Sequence, residues 1–173
     1  YLRFYKTFHR MGGELRYGWR METGWEIETI PRGINDDWIY ESDSALALDI
    51  HAGQPHLGYL VRLNDGSQRV QYLWRMGETW HDEVVDDGPY KENSHISLVL
   101  DPDTEQPHLS YATGWENYDL KYARRDGVTW QVETVDDGRE IVGRGTWLAL
   151  DLSDRPHISY GGPLGYAWQD ESG

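Results

Sequence analysis

The chain of 173 residues sets 16 basic side chains against 30 acidic ones, for a formal net charge of −14, and it contains no cysteine. That balance excludes an electrostatic grip on nucleic-acid phosphates and disfavours anionic membranes. The missing thiols exclude disulfides and Cys-based zinc sites, and no apolar run approaches membrane-spanning length. Nine tryptophans and twelve tyrosines against two phenylalanines can fill a core while an OH or NH still finds a partner.

In chain order, Leu2-Arg3-Phe4-Tyr5-Lys6 reads as a lone strand, and a repeat then begins. Its first copy runs through an apolar-x-Tyr strand (Leu15 to Tyr17), a Trp-x-x-Glu strand (Trp25 to Glu28) and the turn Ile30-Pro31-Arg32-Gly33. A loop, Asn35 to Glu41, leads to Leu-x-Leu-Asp (Leu46 to Asp49) and to Pro55-His56-Leu57-Gly58-Tyr59. The second copy has Val70 to Tyr72, Trp80 to Glu83, Val85-Asp86-Asp87-Gly88, Leu98 to Asp101 and Pro107 to Tyr111. The third has Leu120 to Tyr122, Trp130 to Glu133, Val135-Asp136-Asp137-Gly138, Leu148 to Asp151 and Pro156 to Tyr160. Leu164 to Trp168 then opens a further unit.

The proline of Pro-His recurs after 52 and then 49 residues, at Pro55, Pro107 and Pro156, a period typical of propellers and solenoids. Short strands parted by turn residues, with no 3.6-residue pattern, predict an all-β fold. The expected architecture is a β-propeller of four-stranded blades, in one domain over 1–173. Units fall near 14–59, 69–111 and 119–160, with spare strands at 1–6 and 163–168. That makes about three and a half blades, fewer than the usual 4–8. Closure is expected from self-association, as a homo-oligomer, or from a further part of the protein; a thin fourth blade from the two spare strands is the compact alternative.

Residues that recur in every unit read first as folding residues. One histidine per unit (His56, His108, His157) is expected to hydrogen-bond within its blade, and Tyr59, Tyr111 and Tyr160 to pack between blades. Asp86-Asp87 and Asp136-Asp137 precede glycine, where Asx turns are expected; calcium at these Asp-rich turns is the alternative, and no other cofactor or metal is expected.

With these motifs in place, the unit resembles those of bacterial secreted β-propellers whose blades read Leu-Lys-Tyr-Ala, Trp-x-x-Glu-x-Val-Asp, Ser-Leu-Ala-Leu-Asp and Pro-His-Ile-Ser-Tyr. Residues 120–160 carry nearly the whole phrase. The hairpin Asp126-Gly127-Val128-Thr129-Trp130 is distantly similar to the Asp-box of sialidase-like propellers, although its aspartate adjoins the glycine. The resemblance implies an extracellular or cell-surface protein, while no signal peptide is visible in the sequence. It implies a fold and no particular activity.

Function is therefore sought where the repeat is broken. Asp36, Asp37, Trp38 and Tyr40 lie in the first-unit loop, and Trp115 and Tyr118 in the connection before the third unit. Arg144 and Trp147 stand at or just before a position held by Ala45 and Ser97, and His95 has no counterpart. These sets offer flat π faces beside directional donors and acceptors, the mixture that sugar recognition needs. The expected function is a non-catalytic, lectin-like carbohydrate-binding module without catalytic residues, and the acidity favours neutral sugars. The alternatives are a glycan-cleaving hydrolase or lyase, and a structural or protein-binding scaffold.

Overall fold

The computed structural model describes residues 15–30, 43–63, 67–88, 95–113, 119–137, 145–161 and 164–170. The lone strand expected at 1–6 lies outside them. Within them the chain is all-β: β1 Arg16–Met21, β2 Gly24–Thr29, β3 Ser44–Leu48, β4 Pro55–Arg62, β5 Gln68–Met76, β6 Thr79–Gly88, β7 Ile96–Leu100, β8 Pro107–Ala112, β9 Leu120–Asp126, β10 Thr129–Asp136, β11 Thr146–Leu150, β12 Pro156–Tyr160 and β13 Gly165–Trp168. None of the described residues forms a helix that could cross a membrane.

Consecutive strands pair antiparallel into four sheets: β1-β2, β3 to β6, β7 to β10, and β11 to β13. Each complete sheet starts on Leu-x-Leu-Asp, so the sheets are cut two strands out of phase with the repeat as it reads along the chain. Sheet and repeat differ because pairing follows the hairpins, whereas a sequence repeat has no intrinsic starting point along the chain. The segment expected as a spare strand at 163–168 pairs through β13 with β12 and is the third strand of the fourth sheet.

The sheets stack in chain order, with the first strands β3, β7 and β11 side by side. Alternation along each strand supplies both faces. On β4, Leu57, Tyr59 and Val61 pack against Tyr17 of the first sheet and Ile30 just after it. Leu60, with Val70 and Tyr72 of β5, packs against Ile96, Leu98, Leu109 and Tyr111 of the third sheet. Leu120 and Tyr122 then meet Leu148 and Ile158 of the fourth. β8 is buried along its whole length, as a strand covered on both faces must be.

One internal glycine is required by this stacking. A Cβ on Gly58 would stand 2.5 Å from Leu109 Cδ2 and 3.0 Å from Ile96 Cδ1. The same position of the third sheet holds Ser110, whose Oγ lies 2.7 Å from Thr146 Oγ1. Thr146 there replaces the longer Ile96, which leaves room for a side chain.

Candidate functional site: the clefts between sheets

The recurrent polar residues build the sheet ends and the sheet junctions. After each Leu-x-Leu strand the aspartate ties down the following loop: Asp49 Oδ1 accepts from His51 N at 3.1 Å and Oδ2 from Gln54 N at 3.0 Å. Asp101 accepts from Asp103 N and Thr104 N at 2.8 Å each, and Asp151 from Ser153 N at 2.8 Å. These loops pass through a left-handed residue at Gly53, Glu105 and Asp154, with φ of 65°, 58° and 58°. Burial pushes the Asp49 and Asp101 carboxyls up, but the backbone N–H groups outweigh it and hold both below the ordinary carboxylate range.

Behind each aspartate stands the histidine of Pro-His. His56 Nδ1 pairs with Tyr72 OH, and the same bond joins His108 to Tyr122 and His157 to Tyr166 at 2.5 Å. His157 Nε2 lies 3.5 Å from Asp151 Oδ2 and His56 Nε2 lies 4.0 Å from Asp49 Oδ2. A neutral imidazole protonated on Nε2 satisfies this set, because Nδ1 is then free to accept the tyrosine O–H. Burial lowers the His56 and His108 pKa against the pull of the facing aspartates, which favours that neutral form. The three histidines thus hydrogen-bond within their own sheets, as their recurrence predicts.

Other repeated residues work between sheets. Tyr111 OH donates to Asp86 Oδ2 of the preceding sheet at 2.5 Å, and Tyr160 OH to Asp136 Oδ2 at 2.9 Å. The expectation that the Asp-Asp pairs sit in turns is corrected for Asp86, Asp87 and Asp136, which lie in β6 and β10. Burial of the partner tyrosines explains it, since an interior phenol needs an acceptor. Among the described residues, no group of three or more His, Asp or Glu is placed to hold a metal ion. Trp80 Nε1 donates to Glu28 Oε1 at 2.5 Å, while Arg75 Nη1 approaches Glu28 Oε2 at 3.3 Å. At the next junction Arg125 lies 2.9 Å from Glu83.

Where the sheets splay apart beyond these contacts, a cleft opens at each of two junctions. Between the second and third sheets it encloses about 390 Å³ and is lined by His56, Tyr72, Trp74, Arg75, Glu105, Gln106 and Arg125 among others. Trp74 stacks on Tyr72 at 5.4 Å, and the Arg125 guanidinium lies 5.3 Å from the Trp74 ring centroid. Gln106 Oε1 is buried here without a hydrogen-bond partner. Between the third and fourth sheets the cleft encloses about 400 Å³, lined by Tyr122, Arg124, Asp126, Gln131, Val132, Glu133 and Gln169. Tyr122, Arg124 and Gln169 there take the repeat positions of Tyr72, Trp74 and Arg125.

Of the residues expected to bind ligand, Asp36, Asp37, Trp38, Tyr40, Trp115, Tyr118 and Arg144 lie outside the described residues. His95 is exposed, with Nδ1 2.9 Å from Asp43 Oδ2. Trp147 is 64% exposed on β11. Neither lines either of these two clefts. The cleft residues Trp74, Arg75 and Arg125 were legible only as part of the repeat: the arginine three places after the recurrent tyrosine appears as Arg20, Arg75 and Arg125.

No protein-family model matches this chain, and no curated protein matches it. Among solved structures, it is similar to a fucose lectin from Kordia zhangzhouensis in complex with methyl-fucoside, with 17% identity and a TM-score of 0.51. The match covers 76% of this chain and 87% of the lectin. At that identity the likeness is one of fold: an all-β chain of antiparallel sheets.

Proposed function

We propose that this chain is a lectin-like β-propeller module, its sheets acting as blades and its inter-sheet clefts as sites for neutral sugars. The observation that carries the reading is the cleft between the second and third sheets. It sets an indole and a phenol beside guanidinium and amide groups, and it holds a buried amide oxygen, Gln106 Oε1, that has no hydrogen-bond partner. Buried polar groups are nearly always satisfied, and a sugar's ring hydroxyls both donate and accept. The volume lies in the range of small-molecule sites. Cleft residues from two sheets meet there, so a pyranose would be gripped from both sides. Repetition of the cleft would add avidity toward a surface bearing many sugars. The aspartate at the cleft floor, Asp49, is engaged by backbone N–H groups, which suits it to holding a loop rather than to acid–base turnover. The fold likeness to a fucose lectin supports the same class of ligand, and an extracellular or cell-surface setting accords with it.

The test is retention on a panel of immobilised neutral monosaccharides, with methyl-fucoside as the first soluble competitor. Gln106→Ala and Arg125→Ala are each expected to weaken retention about tenfold, the loss of roughly 1.4 kcal/mol, with melting monitored in parallel. Folded protein that no sugar in the panel retains would overturn the reading.

A further inference from the structure

Two of the three internal junctions, between the first and second sheets and between the second and third, are made of the same two half-surfaces. The outgoing face of a sheet carries a stacked tyrosine and tryptophan: Tyr17 with Trp19 at 5.4 Å, Tyr72 with Trp74 at 5.4 Å. The incoming face of the next sheet answers with a tryptophan set edge-on to that tyrosine. Trp80 meets Tyr17 at 5.8 Å and Trp130 meets Tyr72 at 5.4 Å, both at 72°. An arginine stands directly across the strand pair from each of these tryptophans, Arg75 opposite Trp80 and Arg125 opposite Trp130.

The two ends of the stack display one half-surface each. On the fourth sheet Tyr166 and Trp168 are stacked at 5.4 Å in the outgoing arrangement, yet they are 57% and 60% exposed. His157 and Asp151 stand beside Tyr166 as His56 and Asp49 stand beside Tyr72. On the first sheet, Glu28 faces the second sheet, so Trp25 and Ile27 point the other way, and they are 42% and 53% exposed. Arg20 stands directly across from Trp25 in the incoming arrangement. Both halves thus remain exposed on the chain.

We propose that these end faces join between copies of this chain, head to tail. The far face of the first sheet of one copy covers the outgoing face of the fourth sheet of another. Trp25 would then sit edge-on to Tyr166, and Arg20 would approach Trp168 as Arg125 approaches Trp74. The junction completes one more cleft of the repeated kind, with Asp151, His157, Tyr166 and Trp168 from one copy and Arg20 from the other. The occupant is a second copy because both complementary halves are present on this chain and the same pairing already holds two of its own junctions together. A heterologous contact of this kind builds rings or open arrays, and large exposed apolar faces are where such association occurs.

Light scattering tests it without sugar, so failure here leaves the lectin reading standing. The protein is expected at a multiple of its 20.1 kDa chain mass. Trp25→Asp and Trp168→Asp, each at an exposed position, are expected to fall to the single-chain mass while keeping their circular dichroism. Mixed in equal amounts, they should form a two-chain species, because one intact face of each kind remains. Ile27→Asp and Ala149→Asp provide a second pair on the same two faces, used if either tryptophan variant fails to fold. A single-chain mass for the unmodified protein would overturn the proposal. So would a variant that keeps the assembled mass, or a mixture that stays at single-chain mass.

Discussion

Gly58→Ala is the sharpest probe of the stacking. The added methyl would stand 2.5 Å from Leu109 Cδ2 and 3.0 Å from Ile96 Cδ1. Leu109 is fully buried and Ile96 is 6% exposed, so neither can swing into solvent. Overpacking of this kind costs about 1–3 kcal/mol. For a chain of this length each kcal/mol lowers Tm by roughly 2–4 °C, so the expected fall is roughly 2–12 °C. Leu109→Ala alone should cost about 2–5 kcal/mol through the cavity it leaves. The double variant should cost less than the sum, because the alanine methyl occupies part of that cavity, with a coupling of about 0.5–3 kcal/mol. Urea titration of the four proteins supplies the cycle. A stable Gly58→Ala protein, or strictly additive losses, would refute the face-to-face packing of the second sheet on the third.

Tyr111→Phe removes the bond to Asp86 across the same junction; with Tyr111 1% exposed, the loss should be about 1.5–3 kcal/mol by urea titration, the range for a hydrogen bond to a charged group. Tyr160→Phe, at a half-buried site, should cost less. Acidification should destabilise the protein in two stages. His56 and His108 have folded pKa values below the ordinary 6.5, so the unfolded chain binds protons first as pH falls. Their contribution is complete above about pH 6.5 and is lost as pH falls through the depressed folded values. Asp49 and Asp101, also depressed, add a further loss below about pH 4. Melting temperatures measured from pH 8 to 3 check this, and a flat profile between pH 7 and 5 would contradict the buried neutral histidines.

How much of this was legible in the chain depends on how local the physics is. Strand type, strand order and the all-β class follow from alternation and turn residues, which act over a few positions. The histidines could be assigned to folding because a residue needed once per repeat unit must recur once per unit. Asp86 and Asp136 could not be placed from their neighbours: a glycine beside them suggests a turn, while the tyrosine that claims them lies 25 and 24 positions away. The clefts were hidden for a related reason. Trp74, Arg75 and Arg125 repeat because the junction repeats, and a cleft exists only where two sheets splay apart. By itself the sequence determined the repeat and the alternation that makes both sheet faces apolar. Only the tertiary structure decided which strands share a sheet, which glycine the packing requires, and which faces remain open, because those depend on contacts between residues one whole repeat apart.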